Sequence, residues 1–517
     1  MTTPAITIAT RVKELQTLIL SFHPLIVFET AEEERVVQLL QGATQEMNLP
    51  LLEWSVAQGL SRSSASAENR WNESCAPSAN TNAYADSTEP SQVLKLIQEM
   101  STKAVFWLKD FGPHLQNDPA IARQFRELVQ QFAKGKSAIV VSGAQVMLPS
   151  EIARDAVYID LKLPTRDELD QVVGEVMRSL RARGRIQIDI QDADRPALVK
   201  ALSGMTLQQA RQILGYAALE DGKLDLADVP RIVNRKAQII RANGVLEYFP
   251  AEEKPLQLGG FNGLKQWLTR SHVGFGAQAQ ALNLSAPKGI LIVGVQGCGK
   301  SLCAKTIAQA WKMPLLKLDA GRLYDKYVGE SEKNFREAIR VAESMAPAVL
   351  WIDEIEKSLG QSGGGGGDGG LSQRLFGSFL TWMQEKSQEV FVIATANDVS
   401  QLPPELMRKG RFDEIFFVDL PNAQERAAIV QLHLVQRQQN PAVFDLSQLV
   451  TATDGFSGAE IESAVITALY DSLYRQQSLS TETIVAAIKA TVPLSVSRRE
   501  DVEHLREMGR SRFVSVR

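Results

Sequence analysis

Cysteine is scarce in this chain of 517 residues, which has only Cys75, Cys298 and Cys303. Three thiols cannot build a disulfide framework, and their spacing fits no zinc-ligand pattern, which suits a reducing compartment. A dominant charge is lacking too: 56 Lys and Arg against 60 Asp and Glu leave a net charge of −4. Without a basic excess or a polybasic run, neither nucleic-acid binding nor attachment to an anionic membrane surface is expected. No 18 consecutive residues are apolar, so no membrane span is expected. The first 34 residues lack the basic start and apolar core of a secretory leader. None of the histidines (His23, His114, His272, His433, His504) stands in His-Glu-x-x-His, which argues against a fused zinc protease. What remains is an ordinary globular composition, 44% hydrophobic and 22% charged, with length for about three or four domains.

Two stretches are low in complexity. Ser61 to Gln92 is rich in Ser, Asn and Ala and reads as a flexible loop. Gly363 to Gly370 is nearly all glycine, too costly in backbone entropy to order unaided. Residues 244–256, with Gly, Pro and acids after a helical pattern, read as a linker and as the main domain boundary.

The chain also repeats itself. Leu25–Phe28 matches Ile290–Val293, Pro50-Leu51-Leu52 matches Pro314-Leu315-Leu316, and Ala104–Leu108 matches Ala348–Ile352. Leu148–Ile152 matches Leu402–Leu406, Leu163-Pro164 matches Leu420-Pro421, and Ser203–Thr206 echoes Gly455–Ser457. The matches keep their order, and the length differences fall in the two low-complexity stretches. Each half reads as alternating short apolar strands and helices followed by an all-helical segment, which predicts a parallel α/β sheet with a helical lid, twice.

The second half carries chemistry. The strand-like run ending at Val293 leads into Gly294-Val295-Gln296-Gly297-Cys298-Gly299-Lys300-Ser301 and then a helix beginning at Leu302. This is a phosphate loop: glycines let backbone N–H groups face phosphate oxygens, Lys300 reaches the β and γ phosphates, and Ser301 offers a hydroxyl to Mg²⁺. Some fifty residues on, the apolar run Val349–Ile352 ends in Asp353-Glu354. Acids at the C-terminal end of a parallel strand border the phosphate crevice; Asp353 is placed to hold Mg²⁺ through water and Glu354 to polarise the attacking water. Another apolar run, Val390–Ala394, ends near Asn397, whose amide suits the γ-phosphate or the water. Arg408 and Arg411 have no obvious local acid partner and suit a γ-phosphate approached from outside.

With these residues in place, 255–495 resembles an AAA ATPase in the narrow sense. Leu258-Gly259-Gly260 resembles the segment that packs on adenine, Gly294–Ser301 Walker A, and Val349–Glu354 Walker B. Asn397 resembles sensor 1, Arg408 and Arg411 the arginine fingers, and Gly455–Ile461 the lid segment that contacts nucleotide. Val295-Gln296 replaces the usual pair of prolines. The resemblance implies that ATP meets Gly260, Gly294, Gly297, Cys298, Gly299, Lys300, Ser301, Leu302, Gly458 and Ala459, with Ser301 and Asp353 on the Mg²⁺ side and Glu354, Asn397, Arg408 and Arg411 as the catalytic set. It implies a homo-oligomeric ring, most often a hexamer, in which Tyr327 and Val328 form a pore loop that grips a protein partner. The glycine run falls where a second pore loop lies and has no bulky gripping residue.

The whole chain, including Gln238–Arg241 and Gly244–Tyr248, resembles a narrower group, the AAA ATPases of cyanobacteria and algal plastids catalogued as a hypothetical chloroplast reading frame. Cytoplasmic or stromal placement follows from that resemblance, and more weakly a regulatory link to photosynthesis or carbon use.

The resulting plan is a degenerate AAA-like α/β domain at 1–164 and a helical segment at 165–243. The linker at 244–256, a large ATPase subdomain at 257–421, a lid at 422–495 and a C-terminal segment at 496–517 follow. The first domain is expected to be silent because Glu29–Arg35, opposite the phosphate loop, has no Gly and no Lys, and its four acids would repel phosphates. Lys109-Asp110 stands opposite Asp353-Glu354; Arg154 matches Arg408, and nothing matches Arg411. Two functions stay open: an ATP-driven remodeller of a protein partner, or an ATP-dependent assembly switch without threading.

Overall fold

The computed structural model describes residues 8–30, 32–63, 87–182, 186–242, 244–250, 261–282, 284–319, 330–359, 369–386, 388–408 and 410–517. The chain divides into two compact units, one of residues 2–163 and 206–208, the other of residues 164–205 and 209–517.

In the first unit, alternate residues of each strand feed two separate cores. Leu25 and Val27 of β1 (Leu25–Glu29) pack with Phe106, Leu108, Phe125 and Leu128, while Ile26 and Phe28 pack with Val36, Leu40, Trp107 and Val140. A sheet covered by helices on both faces requires this, and it explains why its strands read as unbroken apolar runs. The other strands are β2 (Leu51–Ser55), β3 (Gly59–Arg62), β4 (Val105–Lys109), β5 (Ala138–Gly143) and β6 (Ala156–Ile159). Their order is β3-β2-β4-β5-β1-β6, all neighbours parallel except the β2–β3 hairpin. The covering helix Pro119–Phe132 shows its sequence logic plainly. Asp118 caps it by accepting from the Ala120 N–H at 2.8 Å, Pro119 opens the first turn, and Phe125, Leu128, Val129 and Phe132 form one buried stripe.

The second unit contains a two-residue parallel ladder, β7 (Gln187–Ile188) with β8 (Lys223–Leu224), so the 165–243 segment is not wholly helical as expected. Strands that short carry no periodicity for a sequence reading to detect. The large sheet comprises β9 (Leu246–Phe249), β10 (Gly289–Gly294), β11 (Leu315–Leu318), β12 (Ala348–Ile352), β13 (Val390–Ala396), β14 (Glu414–Val418) and β15 (Val514–Ser515). Its order is β15-β14-β10-β13-β12-β11-β9. Removing the edge strands leaves β14-β10-β13-β12-β11, the same connectivity as β6-β1-β5-β4-β2. The expected duplication is therefore present in topology.

Four expectations need correction. The 244–256 linker contains β9, paired antiparallel with β11; five residues between Gly244 and Pro250 gave no strand signal. The helix Asp228–Ala242 packs against β9, with Lys236 Nζ 4.9 Å over the Tyr248 ring, so the principal division falls at Leu163–Pro164 instead. The Ser61–Gln92 loop begins inside β3 and ends inside the helix Pro90–Glu99; residues 64–86 lie outside the described residues, as do 363–368 of the glycine run. Lastly, the repeat is offset by one at β1. Ile26 pairs with Val140 as Ile290 pairs with Ile393, and those partners pair with Trp107 and Trp351. Ile26, not Leu25, is thus the counterpart of Ile290. A continuous apolar run has no internal marker to fix its register.

Three lid helices are capped by reciprocal side-chain to backbone bonds. Asn422 with Glu425 caps Ala423–Gln436, Ser457 with Glu460 caps Gly458–Tyr474, and Ser480 with Thr483 caps Thr481–Ala490. Their apolar faces enclose a core of their own around Leu434, Leu449, Ile461, Val465 and Ile488.

Candidate active site

The site begins where β10 runs out of room. Gly294 passes so close to β14 that a Cβ there would collide with the Val418 carbonyl. Gly297 follows at φ +77°, a conformation glycine adopts without strain. The helix Lys300–Ala310 then starts, presenting its unpaired first-turn N–H groups to the loop. Lys300 is buried, and its ammonium donates to the carbonyls of Gly294 at 2.8 Å and Val295 at 2.9 Å. Burial pushes it down to about 8. Cys298 and Cys303 are buried as well, and burial pushes both thiols up to about 12. Neither is a thiolate near neutral pH, so Cys298 in the loop acts as a small packing residue. Leu302, half-buried, continues the helix.

Ser301 Oγ donates to Asp353 Oδ1 at 3.2 Å, and Thr395 Oγ donates to the same oxygen at 2.6 Å. Thr395 Oγ also accepts the Glu354 backbone N–H at 3.0 Å. One hydroxyl thereby fixes both acids. Glu354 sits at φ +48°, uncommon for a side chain of its size. Its Oε1 accepts from Asn397 Nδ2 at 2.8 Å and its Oε2 from Lys357 Nζ at 2.8 Å. Glu356, buried, accepts the Asn397 backbone N–H at 2.9 Å. Thr395 and Glu356 escaped the sequence reading. The signal was a hydroxyl in an otherwise apolar strand two residues before Asn397, and a third acid two residues after Asp353-Glu354.

The lid closes on the same loop: Ala459 N–H donates to the Gly297 carbonyl at 3.0 Å, with Gly458 beside it. The structure thus brings together Gly294, Gly297, Gly299, Lys300, Ser301, Asp353, Glu354, Asn397, Gly458 and Ala459. Gly260, Tyr327 and Val328 lie outside the described residues. Two hard oxygen donors, the Ser301 hydroxyl and the Asp353 carboxylate, suit Mg²⁺, which prefers few protein ligands and completes its shell with phosphate and water.

Arg408 and Arg411 do not join this cluster. Arg411 Nη1 donates to the Glu405 carbonyl, and Arg408 is exposed. Asp413, two residues past Arg411, accepts from the backbone N–H groups of Lys288 and Gly289 at 2.6 and 2.9 Å. That is the start of β10, whereas the phosphate loop is at its end. At about 3.3 Å per residue the two ends are roughly 16 Å apart.

The first unit repeats the scaffold without the chemistry. Asp110 (φ +51°) matches Glu354 in backbone conformation, Ser142 stands at the Thr395 register and Ala144 at that of Asn397. Ten positions separate Ile290 from the helix start at Lys300, but only seven separate Ile26 from that at Glu33. The connection is three residues too short for a phosphate loop. Lys109, in place of Asp353, pairs with Glu53 at 3.2 Å and Glu33 at 3.4 Å.

Comparison with known proteins agrees with this geometry. Residues 290–420 match the family described as ATPase family associated with various cellular activities (AAA). Residues 11–161 match the N-terminal domain, and residues 167–243 the second domain, of the SpoVK-like AAA ATPases. The uncharacterized AAA domain-containing protein ycf46 of Pyropia yezoensis is 35% identical over 98% of this chain and 99% of its own length. The protein of the same name from Trieres chinensis is 34% identical over 93% of each. The cell division cycle protein 48 homolog of Archaeoglobus fulgidus is 36% identical over 36% of this chain and 25% of its own.

Proposed function

The chain belongs to the AAA ATPase family, and from that premise we propose that it binds Mg²⁺-ATP at the Gly294–Ser301 loop, hydrolyses it, and uses the cycle to remodel or regulate a protein partner. One observation carries the reading. Ser301, Asp353, Thr395, Glu354 and Asn397 form an unbroken chain of hydrogen bonds at the mouth of the phosphate loop.

In this mechanism Lys300 and the inward N–H groups neutralise the β and γ phosphates. Ser301 and Asp353 would hold Mg²⁺, whose charge supports the leaving phosphate. Glu354 accepts a proton from the attacking water, and Asn397 orients that carboxylate. Both Glu354 oxygens are engaged, by Asn397 and Lys357, so water activation requires one of these bonds to be exchanged. Arg408 and Arg411 stand at the far end of β10 and serve a phosphate on a neighbouring chain. This supports a homo-oligomeric ring, a hexamer by family resemblance, located in a cyanobacterial cytoplasm or plastid stroma. A link to photosynthesis or carbon-use regulation rests on that resemblance.

The test is phosphate release as a function of protein concentration. Turnover per chain rises as the chains assemble, because each site needs its neighbour's arginines; turnover independent of concentration down to isolated chains refutes the shared site. A second reading, an assembly switch without threading, rests on the glycine run at the second pore-loop position. Tyr327→Ala separates the two: it abolishes remodelling if the pore grips a polypeptide and leaves function intact if ATP only sets assembly.

A further inference from the structure

Glu356 is the one carboxylate of the acid cluster turned inward. The residue is 5% exposed, Oε1 accepts the Asn397 backbone N–H at 2.9 Å, and Oε2 is buried with no hydrogen-bond partner among the described residues. Burial raises its carboxyl above the usual range against the opposing pull of the Asn397 bond. A half-satisfied buried acid destabilises the fold, and an apolar side chain of similar size would fit more cheaply. A structural role therefore does not account for it.

The local geometry does. Asn397 is the first residue past β13, where the sheet no longer fixes its backbone. Its amide must nevertheless point at Glu354 Oε1. The chain reverses after Glu354: the left-handed backbone there and the Lys357 N–H to Glu354 carbonyl bond at 2.8 Å carry Glu356 round to meet the Asn397 N–H. Asn397 is thus held twice by the same turn, by its amide on Glu354 and by its backbone on Glu356.

We propose that Glu356 is a positioning residue for hydrolysis: its carboxylate anchors the Asn397 backbone and so keeps the Asn397 amide aimed at Glu354. In this role it acts on the reaction through Asn397, whose backbone N–H it accepts. The property required is a hydrogen-bond acceptor at that point, which glutamine retains and alanine lacks.

This inference rests on the ATPase reading, so the parent chain is assayed beside two variants, Glu356→Ala and Glu356→Gln. Turnover of Mg²⁺-ATP and affinity for a non-hydrolysable ATP analogue are measured for each. Misplacement of a catalytic group by about 1 Å costs on the order of a hundredfold, so Glu356→Ala is expected to lose roughly tenfold to a hundredfold in kcat with affinity within about twofold of the parent. Glu356→Gln retains kcat within about threefold. Parental kcat in Glu356→Ala overturns the inference, as does equal loss in both variants, or loss of analogue affinity in step with kcat. A parent chain with no turnover refutes the ATPase reading itself and this inference with it, an outcome distinct from the other three.

Discussion

Lys109 and Glu53 form an ion pair at 3.2 Å that reverses the charges of Asp353 and Lys317, paired at 3.6 Å in the second sheet. The register is the same in both sheets: Glu53 lies opposite Trp107 and Lys317 opposite Trp351. In each case the lysine rests over the tryptophan ring, Lys109 at 4.3 Å from Trp107 and Lys317 at 4.5 Å from Trp351. The first sheet keeps the packing found around Asp353 and inverts its sign. The hydroxyls at the matching register differ in their partners. Ser142 accepts the Trp107 indole N–H at 2.8 Å, whereas Thr395 is committed to the acids and leaves the buried Trp351 Nε1 without a partner among the described residues.

Nucleotide binding should therefore reside wholly in the second half. Lys300→Ala in the full chain is expected to abolish binding of a fluorescent ATP analogue, because only the second half has a phosphate loop and its ammonium. Any residual saturable binding in that variant would mean that the first sheet is not silent.

Putting the acid back should not revive the first site. Lys109→Asp places a third carboxylate beside Glu53 and Glu33 and leaves the connection three residues short. We expect no gain in nucleotide stoichiometry, and a loss of about 1–2 kcal/mol from a partly exposed pair that becomes repulsive. Equilibrium titration and denaturant unfolding check both parts.

Lys236 gives a pH signature unrelated to catalysis. The residue is 1% exposed, and its ammonium donates to the Ser203 carbonyl at 3.3 Å and has no carboxylate partner among the described residues. Burial, helped by nearby Lys200, lowers it from 10.5 to about 7. Below about 7 both folded and unfolded chains carry the proton, and the full cost of burying the charge is present. Between about 7 and 10.5 the folded chain binds fewer protons than the unfolded one, so this group's contribution to stability rises with pH. Lys236→Met removes the titration with little change in bulk. Its stabilising effect over the parent should be larger near pH 6 than near pH 9 by roughly 2–3 kcal/mol. A pH-independent difference in unfolding midpoint would contradict the assignment.

Arg411→Ala should lower turnover by about tenfold to a thousandfold while leaving nucleotide affinity nearly unchanged, since a charge acting on another chain's phosphate contributes mainly in the transition state. Measured kcat and analogue Kd separate these. A parallel loss of affinity would place Arg411 in its own chain's site.

Much of this was readable beforehand, for physical reasons that differ by element. Gly294, Lys300 and Ser301 were legible because a phosphate loop needs fixed residue types at fixed spacing. Asp353-Glu354 was legible because the pair ends an apolar run some fifty residues after a phosphate loop; an apolar run ending in two acids is common by itself. Gly458 and Ala459 became neighbours of Gly297 through lid packing, which family resemblance supplied and spacing alone did not. Thr395 and Glu356 were missed because their roles depend on which strand lies beside β12, a tertiary fact. β9 was missed because a short edge strand draws its stability from pairing with β11 and leaves little trace in local pattern. The one-residue offset at β1 was invisible because every residue in both runs is apolar.

Glu354 is the group assigned to activate water, and phosphate release by the parent and by Glu354→Gln, at saturating Mg²⁺-ATP, tests that assignment most directly. We predict measurable turnover in the parent, and in Glu354→Gln a loss on the order of a hundredfold or more with analogue affinity retained. Equal rates in the two proteins would contradict it.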